Sequence, residues 1–317
     1  MLAIEIEDLV KEYRNGVRAL DRLSLRVNAG EIFALLGPNG AGKSSLIHIL
    51  TTYSKPSSGK VTMLGKDLRR APGEIRRQIA CVAQQVSIDS HLSLMENLLF
   101  QSRLYKVDAK TAHQRIRTLI DSFGLSPYLR YPTASYSGGV KRRLDLAMNM
   151  VSLPRILFLD EPTVGMDVDS RKAMWEMLLR IRDDFGTTIF LTTHYLEEAD
   201  RLSDTICIMK RGREVARGTP ASLRRYTRQN LLRLGFAGAE QARRCQAALE
   251  QSGLATSASL RHDSVLVDVA DGRTAISAVN RWLLEQRLDF TAIEIVEPSL
   301  EDVFLALTGP ARQESEA

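Results

Sequence analysis

One stretch of eight residues constrains the fold of this chain more than any other. It reads Gly37-Pro38-Asn39-Gly40-Ala41-Gly42-Lys43-Ser44 and fits the pattern G-x-x-x-x-G-K-[ST]. The apolar run 32–36 before it predicts a buried strand, and the run 45–50 after it predicts the start of a helix. Glycines in that setting let N–H groups turn inward around an anion, and the helix N-terminus adds its positive dipole end. The sequence therefore predicts a phosphate-binding loop, in which Lys43 reaches the β- and γ-phosphates of a nucleotide and the Ser44 hydroxyl holds Mg²⁺.

Length and composition limit the classes of protein to which the chain can belong. Its 317 residues suit one large domain or two smaller ones, with ordinary apolar and charged fractions of 44% and 26%. The net charge of +5 is mild and dispersed, so a solvated surface is favoured over a nucleic-acid partner. Cys81, Cys207 and Cys245 lie too far apart for a metal or redox pair, which predicts a reducing compartment. The first eight residues lack signal-peptide architecture and no apolar run approaches bilayer length, so we expect membrane work to pass through another chain.

Two further apolar runs end in polar side chains that could meet the phosphate loop. The run 155–159 leads into Asp160 and Glu161, and the run 187–191 leads to His194. Fully apolar strands are typical of parallel sheets, which bind ligands beyond the carboxyl ends of their strands. Asp160 is then placed to hold Mg²⁺ through water, and Glu161 to orient or deprotonate an attacking water. Without the phosphate loop, solvated acids at a strand end and a structural histidine would be the simpler interpretations.

The remaining pattern up to residue 222 predicts an α/β domain with a helical insert. Alternating or apolar runs at 3–6, 23–27, 60–64 and 79–82 predict strands, and 205–216 predicts a hairpin. Helical spacing over about residues 92–131 predicts a helical insert, with bounds at about 86–135. Residues 95, 98, 99 and 102 are spaced for one helix face, and residues 116, 119, 120 and 123 for another.

Two features of residues 1–222, Tyr13 and the segment Ser137-Gly138-Gly139, each have two interpretations. Tyr13 could lie over a nucleotide base, although a half-buried strand aromatic is favoured for that residue alone. Ser137 is a candidate N-cap for a helix with Gly138 and Gly139 in its first turn. That arrangement would give a second helix N-terminus able to bind an anion, although a plain loop is favoured from these three residues alone.

After Pro220 the sequence changes character, which predicts a domain boundary at 222/223. Residues 221–230 are basic and polar and predict a linker helix or loop. Strand patterns at 231–236, 258–261, 264–269 and 290–296 alternate with helical patterns at 241–251 and 274–285. This order, βαββαβ, predicts a small ferredoxin-like α+β domain over 223–309. It carries no catalytic constellation, so we expect a partner-contact or regulatory role, and we expect 310–317 to be disordered.

Taken together, these spaced motifs resemble the ATP-binding subunits of ABC transporters over about residues 3–222. Gly37 to Ser44 is similar to the Walker A loop, and Ser45 follows it. The other similar positions are Tyr13 for the aromatic that stacks on adenine, Gln84 for the glutamine loop, Ser137, Gly138 and Gly139 for the signature, Asp160 and Glu161 for the Walker B aspartate and catalytic glutamate, Gly165 to Asp167 for the D-loop, and His194 for the switch histidine. Val140 departs from the usual signature glutamine, and Met166 and Val168 depart from the usual D-loop.

The resemblance implies ATP and Mg²⁺ as cofactors and assigns roles to the similar positions. The implied catalytic residues are Glu161, His194, Gln84 and Lys43, the implied Mg²⁺ ligands are Ser44, Gln84 and Asp160, and the implied nucleotide-binding residues are Tyr13, Gly37 to Ser45 and Ser137 to Gly139. In this family two ATPase domains enclose two ATP molecules, with the signature of one facing the Walker A loop of the other. One set of motifs therefore implies a homodimer or a pair with a related ATPase subunit.

Two further segments are similar to one branch of that family. Lys141-Arg142-Arg143 and the segment 297–309 resemble exporter ATPases of the daunorubicin-resistance type, whose membrane subunit is a separate ABC-2 chain. The resemblance thus implies an ATP-hydrolysing exporter subunit at the cytoplasmic face of the cell (inner) membrane, bound to an ABC-2-type permease, without a nucleic-acid partner. The alternative is a soluble, non-transport ABC ATPase acting on a protein or nucleic-acid partner. A nucleotide-binding regulator without turnover is disfavoured by Glu161 and His194.

Overall fold

A computed structural model describes residues 1–225, 230–252, 254, 257–269, 272–296 and 299–308. The chain divides into two compact units, Met1–Pro220 and Ala221–Ala317. Three residues of the C-terminal segment (Glu297, Pro298 and Gly309) and the predicted disordered tail 310–317 lie outside the described residues. Within the described part of the chain, no helix combines the length and the apolar character needed to cross a membrane.

The first unit alternates strands and helices. Its strands are β1 (Leu2–Glu12), β2 (Arg18–Asn28), β3 (Ile32–Leu36), β4 (Ser58–Met63), β5 (Lys66–Asp67), β6 (Ile79–Val82), β7 (Ile156–Asp160), β8 (Thr188–Thr192), β9 (Thr205–Lys210) and β10 (Arg213–Gly218). Its helices are α1 (Lys43–Leu50), α2 (Pro72–Arg76), α3 (Leu94–Leu104), α4 (Ala109–Ser122), α5 (Gly138–Met150), α6 (Val168–Phe185) and α7 (Leu196–Leu202), and a short helix α8 (Pro220–Arg224) follows.

Two sheets form the frame of this unit. The strands β2-β1-β4-β5 make an antiparallel sheet, and β10-β9-β3-β8-β7-β6 make a second sheet that is parallel except at the β10–β9 hairpin. Every residue of β3 and of β8 is buried, as expected for parallel strands covered on both faces. Phe190 on β8 packs between Phe33 and Phe158, with ring centroids 5.2 and 5.6 Å away. The predicted α/β fold is therefore confirmed.

The strand order brings three predicted segments to one edge of the parallel sheet. β3, β8 and β7 are neighbours and run in the same direction, so their carboxyl ends lie together. The phosphate loop follows β3, Asp160 ends β7, and His194 follows β8 after one intervening residue. This edge is where ligands of open α/β sheets bind.

The helical insert is present, and one of its two predicted faces is correct. Ile116, Leu119, Ile120 and Phe123 are buried as predicted. The buried face of α3 instead consists of Leu94, Asn97, Leu98 and Ser102. Met95 and Leu99 are only partly buried, so the α3 prediction is wrong at two of its four residues and correct at Leu98 and Ser102. The reason is Asn97, a polar residue in the interior. Its side-chain nitrogen donates to the carbonyl oxygens of Asp89, Leu92 and Ser93, which allows the side chain to be buried.

The described residues of the second unit form the predicted ferredoxin-like fold. Its elements are β11 (Asn230–Gly235), α9 (Ala239–Ser252), β12 (Ser257–Arg261), β13 (Ser264–Val269), α10 (Gly272–Glu285), β14 (Ala292–Val296) and α11 (Leu300–Thr308). The strands pair antiparallel in the order β12-β13-β11-β14. Apolar residues of the sheet and of α9 and α10 share one core, which includes Leu232, Val267, Cys245 and Leu283. Ser299 caps α11, because its hydroxyl accepts from Asp302 N at 3.2 Å.

Candidate functional site

A cavity of about 420 Å³ lies at the sheet edge where β3 and β7 end. The predicted residues that line it are Tyr13, Asn39, Gly40, Ala41, Gly42, Lys43, Ser44, Ser45, Gln84, Asp160 and Glu161, joined by Val17, Arg18 and Ala19, which the sequence did not suggest. The other predicted residues, Gly37, Pro38, His194 and Ser137 to Gly139, are not among those that line it. The structure thus brings most of the predicted nucleotide site into one cavity and leaves the signature residues out of it.

Two glycines of the phosphate loop are required by close backbone packing. Gly42, just before α1, has φ +105°, and a methyl group there would overlap the Ala19 carbonyl oxygen. At Gly37 a Cβ would stand 2.6 Å from the Met209 carbonyl oxygen. The loop is therefore packed closely between β2 and β9.

Lys43 is buried at the base of this loop and bonds to the loop itself. Its Nζ donates to the carbonyl oxygens of Gly37 at 2.7 Å and Pro38 at 3.2 Å. Burial lowers the pKa of the Lys43 ammonium, while the carboxylates of Glu161 and Asp160 oppose that shift. An anion entering the cavity would meet a cation whose hydrogen bonds to Gly37 and Pro38 go to neutral carbonyl groups.

The two acids after β7 are oriented by the neighbouring strand. The Thr192 hydroxyl donates to Asp160 Oδ1 at 2.5 Å, and Glu161 N donates to Thr192 O at 3.1 Å. Glu161 has φ +47°, a left-handed backbone that costs a non-glycine residue roughly 1–3 kcal/mol and recurs at functional sites. Its Oε1 lies 3.2 Å from His194 Nδ1. Thr192 was not predicted, although a hydroxyl directly after the apolar residues Ile189-Phe190-Leu191 was the available signal.

Tyr13 lines the cavity from the N-terminal sheet. Its hydroxyl shares a 3.0 Å hydrogen bond with Ser45 Oγ, which ties the ring to the first turn of α1. Lys11 Nζ lies 4.9 Å from the ring centroid, within the range of a cation–π contact. Lys11 was not predicted, and its position near the end of β1, two residues before Tyr13, was the available sequence signal.

Oxygen donors suited to Mg²⁺ converge in this cavity. The Ser44 hydroxyl, the Gln84 amide and the Asp160 carboxylate all line it, and Mg²⁺ prefers such hard oxygen ligands together with phosphate and water. In the ranges that the structure describes, no group of three or more His, Cys, Asp and Glu side chains could hold a metal ion. The residues present fit a metal that shares its coordination with a phosphate, and they do not form an all-protein cage.

A second helix N-terminus lies outside the cavity, at the start of α5. The Ser137 hydroxyl accepts from Val140 N at 3.4 Å, which confirms the predicted N-cap. A Cβ at Gly138 would meet nothing within 4 Å, whereas one at Gly139 would stand 3.2 Å from Ser170 Oγ. Asp167 caps the adjoining α6 by accepting from Ser170 N at 2.9 Å, and the hydrogen bonds from Ser170 lower the pKa of Asp167.

Comparison with known proteins agrees with this geometry. Residues 20–164 match the family described as ABC transporter. The chain is 40% identical to the daunorubicin/doxorubicin resistance ATP-binding protein DrrA of Streptomyces peucetius, over 97% of this chain and 92% of that protein. It is 38% identical to the Nod factor export ATP-binding protein I of Sinorhizobium fredii, over 70% of this chain and 64% of that protein.

A solved structure has the fold of the first unit. It is cbiO1 from Clostridium perfringens, part of the ABC transporter complex cbiONQ, with a TM-score of 0.66 and 28% identity over 70% of this chain and 90% of that one. The near full-length similarity to DrrA covers both units of the chain. The chain therefore belongs to the ATP-binding subunits of ABC transporters, in the branch of the daunorubicin- and doxorubicin-resistance ATP-binding proteins.

Proposed function

We propose that this chain, an ATP-hydrolysing subunit of an ABC-type exporter, binds Mg·ATP in the cavity beside β3 and drives a separate ABC-2-type permease. The observation that carries the proposal is the convergence of Lys43, Gln84, Asp160 and Glu161, from three separate segments, on one cavity. The mild charge of the whole chain gives no reason to add a nucleic-acid partner.

Lys43 and the phosphate loop would bind the nucleotide phosphates. The ammonium would exchange two neutral carbonyl partners for charged phosphate oxygens, and charge-assisted hydrogen bonds are the stronger kind. Tyr13, tied to Ser45, would present a ring to the adenine base. Ser44, Gln84 and Asp160 would hold Mg²⁺, which supplies charge neutralisation at the transferred phosphoryl group.

Glu161 would position the attacking water. The left-handed backbone and the bonds to Thr192 fix the start of its side chain, and His194 contacts its Oε1. His194 would thereby hold the glutamate in place and present its other ring nitrogen to the γ-phosphate.

The signature residues would serve a second nucleotide site. Ser137, Gly138 and Gly139 do not line the cavity of their own chain, yet they form a helix N-terminus suited to an anion. We propose that they bind the γ-phosphate of ATP held by a second ATPase subunit, either another copy or a related chain. ATP would then favour the closed dimer, and hydrolysis would release it.

We place the assembly at the cytoplasmic face of the cell (inner) membrane, where ATP is available and the permease would hold the chain. The names of the most similar relatives refer to daunorubicin and doxorubicin resistance and to Nod factor export. From these names we propose that this chain also serves export, but we propose no particular cargo. The reason is that the site residues described above would handle nucleotide. The permease would select the cargo.

The deciding experiment compares Glu161→Gln with the wild type in full-length protein, with and without the membrane subunit in lipid. We expect turnover to fall by about 100-fold or more, as is usual when a general base is lost, while Mg·ATP-dependent dimers accumulate in light scattering. Glu176→Gln, an exposed position on α6, is the matched control and should behave as wild type.

Each result discriminates between the functions considered. Several-fold stimulation of wild-type turnover by the membrane subunit supports the exporter. Turnover that ignores every membrane partner would instead favour a soluble ABC ATPase that acts on a protein or nucleic-acid partner, with residues 223–309 as the expected contact. Wild-type turnover in Glu161→Gln would remove Glu161 from the mechanism.

A further inference from the structure

One arginine of α5 is buried between two loops of the nucleotide site. The side chain of Arg142 is 3% exposed. Its Nε donates to the Pro162 carbonyl oxygen at 3.2 Å, and its Nη1 donates to the Ala83 carbonyl oxygen at 2.5 Å. Nη1 also lies 3.4 Å from Oδ2 of Asp145, which is equally buried on the same helix.

The two main-chain acceptors are next to residues that the proposed function uses. Ala83 directly precedes Gln84, and Pro162 directly follows Glu161. Asp145 extends the same network, because its Oδ1 accepts from the Ser87 hydroxyl at 2.7 Å, beyond the glutamine on the same loop. The ion pair of Arg142 with Asp145 therefore holds two loops to α5. It holds residues 83–87, the Gln84 loop, at two points, and residues 161–166, the Glu161 loop, at one.

Stability alone is a poor explanation for this arrangement. Desolvation offsets much of the attraction within a buried ion pair, and apolar residues of similar volume often stabilise a protein as well or better. In addition, Nη2 of Arg142 is buried without a hydrogen-bond partner in the part of the chain that the structure describes. Buried donors are rarely left unused. Because Nη2 carries two N–H groups, Arg142 keeps donors for a second arrangement of the two loops.

We propose that Arg142 is a positioning residue for hydrolysis, which fixes the Gln84 and Glu161 loops to α5 so that the three segments move together. The N-terminus of α5 carries the signature residues, so a phosphate bound there would act on both loops through one side chain. Arg142 is not among the residues that line the cavity, so it acts on turnover and not on nucleotide affinity. The inference rests on the proposed ATPase function and names a residue to which that function gave no role.

The test uses variants that separate the hydrogen bonds from the buried charge. Arg142→Gln combined with Asp145→Asn removes both charges together and leaves no lone ion. Arg142→Lys keeps a cation beside Asp145 but replaces the planar fork, which reaches Pro162 O through Nε and Ala83 O through Nη1, with a single nitrogen. Arg115→Gln is the control, because Arg115 on α4 also donates to a main-chain carbonyl, that of Val151 at 3.0 Å, and Val151 follows α5 and belongs to neither loop.

Three readouts are taken on full-length protein, well below its unfolding temperature. In the double variant we expect kcat to fall at least tenfold while the Kd for Mg·ATP stays within about twofold. We expect amide hydrogen exchange to accelerate at residues 83–87 and 163–166 and to stay unchanged in β3 and β8. Arg142→Lys should recover part of kcat, and Arg115→Gln should leave all three readouts at wild-type values.

Two results would overturn the role of Arg142. One is a wild-type kcat in the double variant. The other is an equal loss of kcat and of Mg·ATP affinity, together with faster exchange throughout the unit, because that pattern describes general destabilisation. If the double variant does not fold, Arg142→Lys decides alone, and wild-type turnover in it rejects the proposal. A wild-type chain that neither binds nor hydrolyses Mg·ATP would instead reject the proposed function, which keeps the two failures distinct.

Discussion

Alanine substitutions at three glycines of the phosphate loop should separate backbone strain from lack of space. Gly40 has φ +78° and open space where a methyl group would stand, so Gly40→Ala carries strain alone. Gly37 has no positive φ, but its Cβ would stand 2.6 Å from the Met209 carbonyl oxygen, so Gly37→Ala carries overlap alone. Gly42 combines φ +105° with overlap on the Ala19 carbonyl oxygen.

The expected costs follow from these differences. A left-handed alanine costs roughly 1–2 kcal/mol and regains roughly 0.4–1 kcal/mol from the stiffer unfolded chain, so Gly40→Ala should lose about 1.6 kcal/mol or less. Overpacking against backbone atoms costs roughly 1–3 kcal/mol, and the same gain leaves a loss of up to about 2.6 kcal/mol for Gly37→Ala. Strain and overlap add at Gly42, where Gly42→Ala should lose roughly 1–4.6 kcal/mol after the same gain.

Urea unfolding without nucleotide measures these losses. The chain has two tryptophans, Trp175 on α6 and Trp282 on α10, so a Trp282→Phe background leaves Trp175 as the reporter of the first unit. Trp175 is buried and its Nε1 donates to Glu198, so its emission should change on unfolding. Equal losses for Gly40→Ala and Gly42→Ala would refute the close packing of the loop against β2.

Two further predictions concern the base end of the site and a buried acid behind it. Tyr13→Ala should weaken ATP binding by about 5- to 150-fold, since stacking on a base contributes roughly 1–3 kcal/mol, while Tyr13→Phe should keep most of the affinity in a titration with a fluorescent ATP analogue. Burial raises the pKa of Glu198, against hydrogen bonds from Thr193, Thr163 and Trp175 that lower it. The pKa of Glu198 is therefore higher in the folded state than in the unfolded state. The stability that this difference contributes is complete below the unfolded-state pKa and is lost as pH rises through the folded-state pKa. Glu198→Gln should therefore gain stability relative to wild type as pH is raised from about 5 to 8, and a difference in unfolding free energy that does not change with pH would contradict this.

The phosphate loop and the strands beside it were predictable because their signals are local. Runs such as 32–36 and 156–159 are apolar throughout, which indicates burial on both faces, and G-x-x-x-x-G-K-[ST] restricts its own backbone. The long helix α6 went unpredicted although Met174, Leu178 and Ile181 repeat at helical spacing, so that signal was available. The α3 face was misplaced because a polar residue, Asn97, occupies the interior, and periodicity of apolar residues does not register it.

Local sequence patterns identified the residues that we propose to handle phosphate, since the order strand, glycine loop and helix, and acids at the end of a buried strand, are properties of short segments. The packing of the whole chain sets which of these residues share a cavity, because β3, β8 and β7 are neighbours in space and not in sequence. It also decided that Arg142, one of three consecutive basic residues, is the buried one, because its acceptors at Ala83 and Pro162 come from segments 59 and 20 residues away. Contacts at such separations depend on how the whole chain packs, and no local pattern encodes them.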